Sequence, residues 1–290
     1  MHIRRGDSRI ARGPEGVGPY REREEKNMKI ALITGASSGM GREFVYALDA
    51  DEEFDELWVV ARRRERLEAL QERCRARVRV FALDLLDTAS FDVIQSALRE
   101  AQPEIAVLVN AAGFGVFGPF AERDLKTQLD IIDLNDRALT AMCHLALPYL
   151  AEGSRIYNMG SMSSWQPVPY INVYGASKAY VLSFSRALGV ELRPRGVRVM
   201  AVCPGWITTE FFDHAVTDDT ICYYNRYYGP EAVVEKALRD MKRGKTASVL
   251  GFPERMQARL VKFLPVNTVM NTWCRQQKQP RNKQEFGMRN

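Results

Sequence analysis

At 290 residues, 46% hydrophobic and 27% charged, the chain has the length and composition of a soluble α/β domain, not of a disordered or fibrous protein. Its net charge of +5 is confined to the ends, because residues 1–27 carry seven Arg or Lys against five acids and residues 275–290 carry five against one. That leaves the body near neutral and excludes the basic folded stripe of a nucleic-acid-binding domain.

Residues 1–27 are rich in Arg, Glu and Gly without apolar periodicity, so they are expected to stay unstructured. From Met28 two patterns alternate. Short runs rich in Val, Ile, Leu and Ala at 29–34, 57–61, 78–82, 105–109, 154–159, 197–202 and 247–250 read as strands buried on both faces. Amphipathic stretches between them, among them 64–76, 88–102, 122–149, 173–193 and 230–243, read as helices. The alternation predicts a doubly wound α/β domain over residues 28–252, a parallel sheet with helices on both faces. The five cysteines, Cys74, Cys143, Cys203, Cys222 and Cys274, are scattered and suit reduced thiols in a cytoplasmic protein. No run has the make-up of a signal peptide or of a transmembrane helix. His2, His144 and His214 have no ligand spacing, so no metal is expected.

The first strand runs into Thr34-Gly35-Ala36-Ser37-Ser38-Gly39-Met40-Gly41, and a helix follows. Glycines there allow a tight turn and close approach of backbone to a pyrophosphate, and the helix N-terminus offers unpaired N–H groups. The alternative is a purely structural strand-to-helix turn. The second strand ends Ala61-Arg62-Arg63-Arg64, without an acid to hold a ribose diol. A guanidinium at that place suits the 2′-phosphate of NADP through a charge-assisted contact. Arg62 is expected to supply it, while Arg63 and Arg64 decorate an exposed helix start. The expected cofactor is NADP(H).

Tyr174 and Lys178 stand four residues apart on a predicted helix and share a face. An ammonium beside a phenol favours the phenolate, so the Tyr174 pKa is expected to fall from about 10 towards neutrality. Such a tyrosine gives a proton to, or takes one from, the oxygen of a carbon that exchanges a hydride. Ser161, at the end of another strand, is placed to hold that oxygen. Tyr-x-x-x-Lys alone occurs by chance in many helices. Here it stands in order behind the Thr34–Gly41 turn, Asp84 after the third strand, Asn110-Ala111-Ala112-Gly113 after the fourth, Asn135 and Ser161. Pro204-Gly205 follows after the sixth strand.

Together these motifs resemble the short-chain dehydrogenase/reductase family over about residues 28–250. The resemblance implies a seven-stranded Rossmann sheet and an oxidoreductase acting on CH–OH groups at the carboxyl ends of the strands. It implies that Asn135 holds a water in a proton relay with Lys178, and that Lys178 also binds the nicotinamide ribose. By the same resemblance Asp84 and Leu85 sit at the adenine, and Asn110 to Gly113 line the cofactor cleft. Ile207 and Thr209, after Pro204 and Gly205, would meet the carboxamide. Two departures from the family pattern, Ala111 for a commoner Asn and Gly160 for a commoner Ser, are small and lie away from the transferred proton.

The segment 206–228 holds Trp206, Phe211, Phe212, Tyr223, Tyr224, Tyr227 and Tyr228, and in the resembled family this region is the substrate lid. Phe114, Phe117, Trp165 and Tyr170 are placed to join it. Such a cover suits a bulky apolar substrate, a hydroxysteroid, bile acid or long acyl chain. Each ring equally suits packing of the lid or a subunit contact. Arg226 either meets a substrate carboxylate or is exposed. In the C-terminal segment 253–290, residues Glu254 to Leu264 are amphipathic, with Met256, Leu260, Phe263 and Leu264 at helical spacing and Arg255, Arg259 and Lys262 elsewhere. They pack over the site, dock on another subunit or rest on an anionic membrane surface as a peripheral contact. This arrangement resembles hydroxysteroid dehydrogenases and long-chain 3-oxoacyl reductases of the family. A homodimer or homotetramer through 122–149 and 173–193 is the family's habit. The rival from another class is a non-catalytic NADP-binding sensor, which would have no need of the proton relay.

Overall fold

The computed structural model describes residues 28–279 apart from Thr217, with only the backbone of His214. The unstructured run expected at 1–27 and the basic tail from Pro280 onward lie outside the described residues. The chain opens with β1 (Lys29–Thr34), α1 (Gly39–Asp51), β2 (Glu56–Ala61), α2 (Arg64–Glu68) and β3 (Arg77–Ala82). It continues through α3 (Ala89–Ala101), β4 (Glu104–Asn110), α4 (Leu125–Ile132), α5 (Leu139–Ala146), β5 (Arg155–Met159), α6 (Asn172–Glu191) and β6 (Arg198–Val202). The last part holds β7 (Trp206–Ile207), α7 (Phe211–Ala215), β8 (Tyr227–Tyr228), α8 (Pro230–Lys242), β9 (Ala247–Ser248), α9 (Phe252–Leu260) and α10 (Val266–Gln276).

Seven strands form one parallel sheet in the order β3-β2-β1-β4-β5-β6-β9, as the alternating pattern predicts. Side chains alternate between its faces, and both faces are covered. Ala31, Ile33, Leu57 and Val59 pack with Phe44, Leu48, Val234 and Met241 of α1 and α8. Ile30, Leu32, Trp58 and Val60 pack with Ile94, Leu98, Met142 and Val181 of α3, α5 and α6. Burial on both sides explains why the strands read as continuous apolar runs rather than alternating ones.

The chain crosses from β3 at one edge back past β1 to β4, so the connections diverge between β1 and β4. Loops from the carboxyl ends of neighbouring strands part there and leave a crevice, the place where open α/β sheets bind ligands. The helix expected at 122–149 runs through α4 and α5 with a π turn at Asp133–Ala138 between them. The amphipathic stretch expected at Glu254–Leu264 corresponds to α9, whereas α10 has no counterpart among the sequence expectations.

Candidate active site

One cavity of about 1300 Å³ follows the carboxyl ends of β1, β2, β4, β5 and β6. At one end the main chain shapes it. Gly35 sits at φ +68°, and a Cβ there would stand 2.6 Å from the Ala112 nitrogen. A Cβ on Gly41 would stand 2.3 Å from the Gly35 carbonyl oxygen. Only glycine permits this closeness, and it brings the turn onto the loop after β4. Thr34 fastens that loop, since its hydroxyl oxygen accepts from the Ala111 and Ala112 N–H groups at 3.1 and 3.2 Å. The first turn of α1 has neither a side-chain cap nor an acid, so its N–H groups are open to an anion.

Arg63 departs from its sequence expectation. Its guanidinium donates to the hydroxyl oxygens of Ser37 at 3.1 Å and Ser38 at 2.8 Å, in the glycine turn, and to Glu210 at 2.7 Å. Arg66 holds the other Glu210 oxygen at 2.5 Å. Arg62 and Arg63 both line the cavity, Arg62 as an exposed side chain and Arg63 half-buried. The reason is geometric: the chain turns into α2 directly after β2, which swings Arg63 back over the turn.

Ser37, Ser38, Gly39, Met40, Asp84, Leu85, Ala111, Ala112 and Gly113 also line this end. Asp84 is held by its own loop, its carboxylate accepting from the Leu86 N–H at 3.0 Å. Asn110 does not join the lining. Its side chain turns into the core, where its amide donates to the Asn158 carbonyl oxygen at 2.9 Å and to the Cys143 sulfur at 3.3 Å. As the last residue of β4 it alternates away from its neighbours, so it braces two strands from beneath.

At the middle of the cavity, Tyr174 and Lys178 lie in the first turns of α6. The Lys178 Nζ stands 5.5 Å from the Tyr174 ring centroid and donates to the Met159 carbonyl oxygen at 2.9 Å. Ser161 follows β5 and lines the cavity together with Tyr174, its hydroxyl bonded to that of Ser163 at 3.3 Å. Gly160 before it has no room for a side chain, because a Cβ would stand 2.9 Å from the Cys203 sulfur. The Tyr174 ring is seated between Gly115, where a Cβ would overlap it at 2.6 Å, and Phe211 at 5.5 Å between centroids.

The expected fall of the tyrosine pKa is corrected here. Burial pushes Tyr174 up to about 12, against the Ser161 hydroxyl, and brings Lys178 down to about 8, against the nearby Asp136 carboxylate. At both groups desolvation of the charged form is the largest cause. Asp136 itself is raised to about 7 by burial, and one of its oxygens has no hydrogen-bond partner. Asn135, buried in the π turn, is fully engaged. It exchanges hydrogen bonds with the Phe114 backbone and donates to the Ser177 hydroxyl at 2.9 Å. A Cβ on Gly113 would meet both the Asn135 Oδ1 at 2.7 Å and the Lys178 Nζ at 3.4 Å, so the two side chains border one small space.

The far end is built from side chains. Phe114, Phe117, Trp206, Phe211, Phe212, Tyr223 and Trp273 line it, with Met256, Leu260, Val261 and Leu264 of the α9 region. The expected rings therefore divide. Tyr224 and Tyr227 pack on Phe212 instead, at 5.9 and 5.5 Å between centroids. Trp165 lies under the cations of Arg186 and Lys262, both 4.8 Å from it. Arg226 is exposed beside Tyr228, away from the lining. Pro204, Gly205, Ile207 and Thr209 reach the cavity between the two ends. α10 pins the lid, since the Trp273 indole donates to the Pro169 carbonyl at 3.0 Å and the buried Gln277 accepts from the Cys222 and Tyr223 N–H groups at 2.9 Å.

Sheet topology, glycine turn and the Ser161, Tyr174 and Lys178 cluster define an α/β oxidoreductase built for a dinucleotide. Comparisons with known proteins agree. Residues 29–220 match the family described as short chain dehydrogenase. The chain is 40% identical over 188 residues to sulfoacetaldehyde reductase 2 of Chromohalobacter salexigens, covering 63% of this chain and 74% of that protein. It is 34% identical over 190 residues to the NADP-dependent 3-hydroxy acid dehydrogenase YdfG of Salmonella typhi, again covering 63% and 74%. A solved short-chain dehydrogenase from Sphingobium yanoikuyae in complex with NADPH has a TM-score of 0.69 at 29% identity, covering 81% of this chain and 93% of that one. The chain belongs to the short-chain dehydrogenase family. It is a nicotinamide-dependent oxidoreductase acting on CH–OH groups.

Proposed function

We propose that this chain uses NADP(H) to interconvert a bulky apolar ketone and its secondary alcohol, with hydroxysteroids as the class of best fit. The observation that carries the reading is the large cavity, whose far end is walled by aromatic rings of the lid and by apolar side chains of α9 and α10. NADP(H) is supported by the absence of an acid at the end of β2, by the Arg63 guanidinium beside Ser37 and by Arg62 in the cavity lining. The NADP named for the Salmonella relative and the NADPH of the Sphingobium structure point the same way.

A bound nicotinamide would supply or accept the hydride. Ser161 holds the substrate oxygen, and Tyr174 gives it a proton on reduction or takes one on oxidation. A Tyr174 pKa raised to about 12 keeps that proton in place at neutral pH and suits the reductive direction. Lys178 would hold the cofactor ribose and steady the tyrosine, and the small space bordered by Asn135 and Lys178 would admit a water to resupply the proton. A sensor would need none of these groups. A long 3-oxoacyl chain is the second reading, favoured by the continuous apolar wall of Met256, Leu260, Val261 and Leu264. Exposed Leu125, Leu129, Ile132 and Tyr180 on α4 and α6 favour a homodimer or homotetramer.

The test is a set of initial rates with NADPH and neutral ketones of rising size, from short alkanones to steroids. The bulky members are expected to exceed the small ones at least about tenfold in kcat/KM, the scale of one or two extra buried groups. Highest efficiency on the shortest ketones would contradict the reading.

A further inference from the structure

The substrates named for the relatives carry fixed anions, a sulfonate in sulfoacetaldehyde and a carboxylate in a 3-hydroxy acid. A site for them needs a cation or a cluster of donors near the reacting carbonyl, because an anion buried without a partner is strongly disfavoured. This cleft has the opposite layout. Among the described residues that line it, the cations are Arg62 and Arg63 at the end of β2 and Lys178 beside Tyr174. The lid arginine, Arg226, stands outside the lining, and Arg123 is paired with Asp218.

Of the acids that line the cavity, Asp84, Asp130, Glu210 and Glu254, the buried one is Glu254, with the exposed Arg226 within electrostatic reach of it. Glu254 is 4% exposed and lies in the first turn of α9, where its carboxylate accepts from the Tyr228 hydroxyl at 3.1 Å. Its Cγ is 3.7 Å from the place of a Cβ on Gly205, and the preceding Pro204 carbonyl accepts from the Met162 N–H at 2.8 Å, next to Ser161. A buried carboxylate therefore stands in the wall, its stem against Gly205 and its oxygens turned to Gly251 and Tyr228. Ser163, Gln166, Asn225 and Gln257, which also line the cavity, are uncharged.

We propose that the substrate end selects carbonyl compounds with no anionic group within a few bonds of the reacting carbon, and so turns away the sulfonate and carboxylate substrates named for the relatives. Repulsion by Glu254 and desolvation without a counter-ion act together against such anions. This rests on the reading that the aromatic end receives the substrate, and it deepens that reading by adding charge to size.

The experiment compares kcat/KM with NADPH for 4-oxo-4-phenylbutanoate and for its methyl ester, a pair nearly equal in size, with sulfoacetaldehyde alongside. The ester is expected to exceed the acid by at least about tenfold, the factor that a modest charge penalty gives. Glu254→Gln should narrow that gap. Because Glu254 also sits in the first turn of α9, Gln257→Lys is the second variant, placing a cation on the same wall without touching the buried carboxylate, and it too should narrow the gap. An acid turned over as well as its ester, or sulfoacetaldehyde as the best of the three, overturns the proposal. Should small neutral ketones beat steroids while acids still lag their esters, the reading of bulk fails and charge selection stands.

Discussion

The cofactor end of the cleft is a backbone surface, closed by Gly35 and Gly41 where no Cβ fits, while the substrate end is a side-chain surface where Trp206 meets Phe212, Tyr224 and Trp273. The first is made by the glycine turn between β1 and α1 and by the short loops that follow β2, β3 and β4. The second is assembled from the loop after β4, the lid and the last two helices, segments up to 160 residues apart in the chain, as Phe114 and Trp273 show. A backbone surface tolerates little change, whereas rings exchange partners at modest cost. On the proposed function, chemistry and cofactor would be fixed at one end and substrate choice left to the other.

The sharpest way to test that division is at its seam. Tyr174→Phe is expected to lower turnover about a hundredfold or more while leaving cofactor binding within about twofold, the scale of a positioned acid. Turnover near that of wild type in the purified variant would contradict the assignment. At the cofactor end, Arg63→Ala should raise the KM for NADPH roughly tenfold to hundredfold, since a charge-assisted contact is worth about 1.5–3 kcal/mol, with little change for NADH. Arg62→Ala should do the same to a smaller degree, because Arg62 is the more exposed of the two. Equal effects on both cofactors would remove the 2′-phosphate from the account.

The two ends also differ in how far the sequence alone discloses them. The glycine turn, Ser161, Tyr174 and Lys178 are visible because local spacing and chemistry define them. Arg63 is not, since its reach to Ser38 depends on where α2 begins. Asn110 misleads for a related reason: as the last residue of a strand it faces either the cleft or the core, and the register with Asn158 decides. The Tyr174 pKa is a matter of burial, which spacing does not report. Gly115 carries a faint signal in the Gly113-Phe114-Gly115 run, and Asp136 none. α10 escapes notice because its role is to pin the lid through Gln277 and Trp273, contacts with residues about 50 and 100 positions earlier.

Smaller effects probe the substrate end. Trp273→Ala removes a ring that stacks near Trp206 and a hydrogen bond to Pro169. It should raise the KM for a bulky ketone severalfold and lower stability by about 3 kcal/mol, with NADPH affinity held within about twofold. A matching loss of NADPH affinity would show that the two ends are not separable. The smallest effect concerns pH. Lys178, depressed to about 8, is an ammonium below that pH and neutral above it, so kcat/KM for reduction should fall as pH rises through about 8. Tyr174, raised to about 12, keeps its proton over that range. Because the Asp136 carboxylate favours the Lys178 ammonium, Asp136→Asn should move this limb to lower pH. A limb that stays in place would remove Asp136 from the lysine's surroundings.

The cofactor site can be tested without any substrate. Titration of the wild-type protein with NADPH and with NADH, followed by nicotinamide fluorescence, gives the two dissociation constants directly. If arginine beside the glycine turn holds a 2′-phosphate, as proposed, the constant for NADPH should be lower by roughly tenfold to hundredfold. Equal constants, or tighter binding of NADH, would contradict the account of the site.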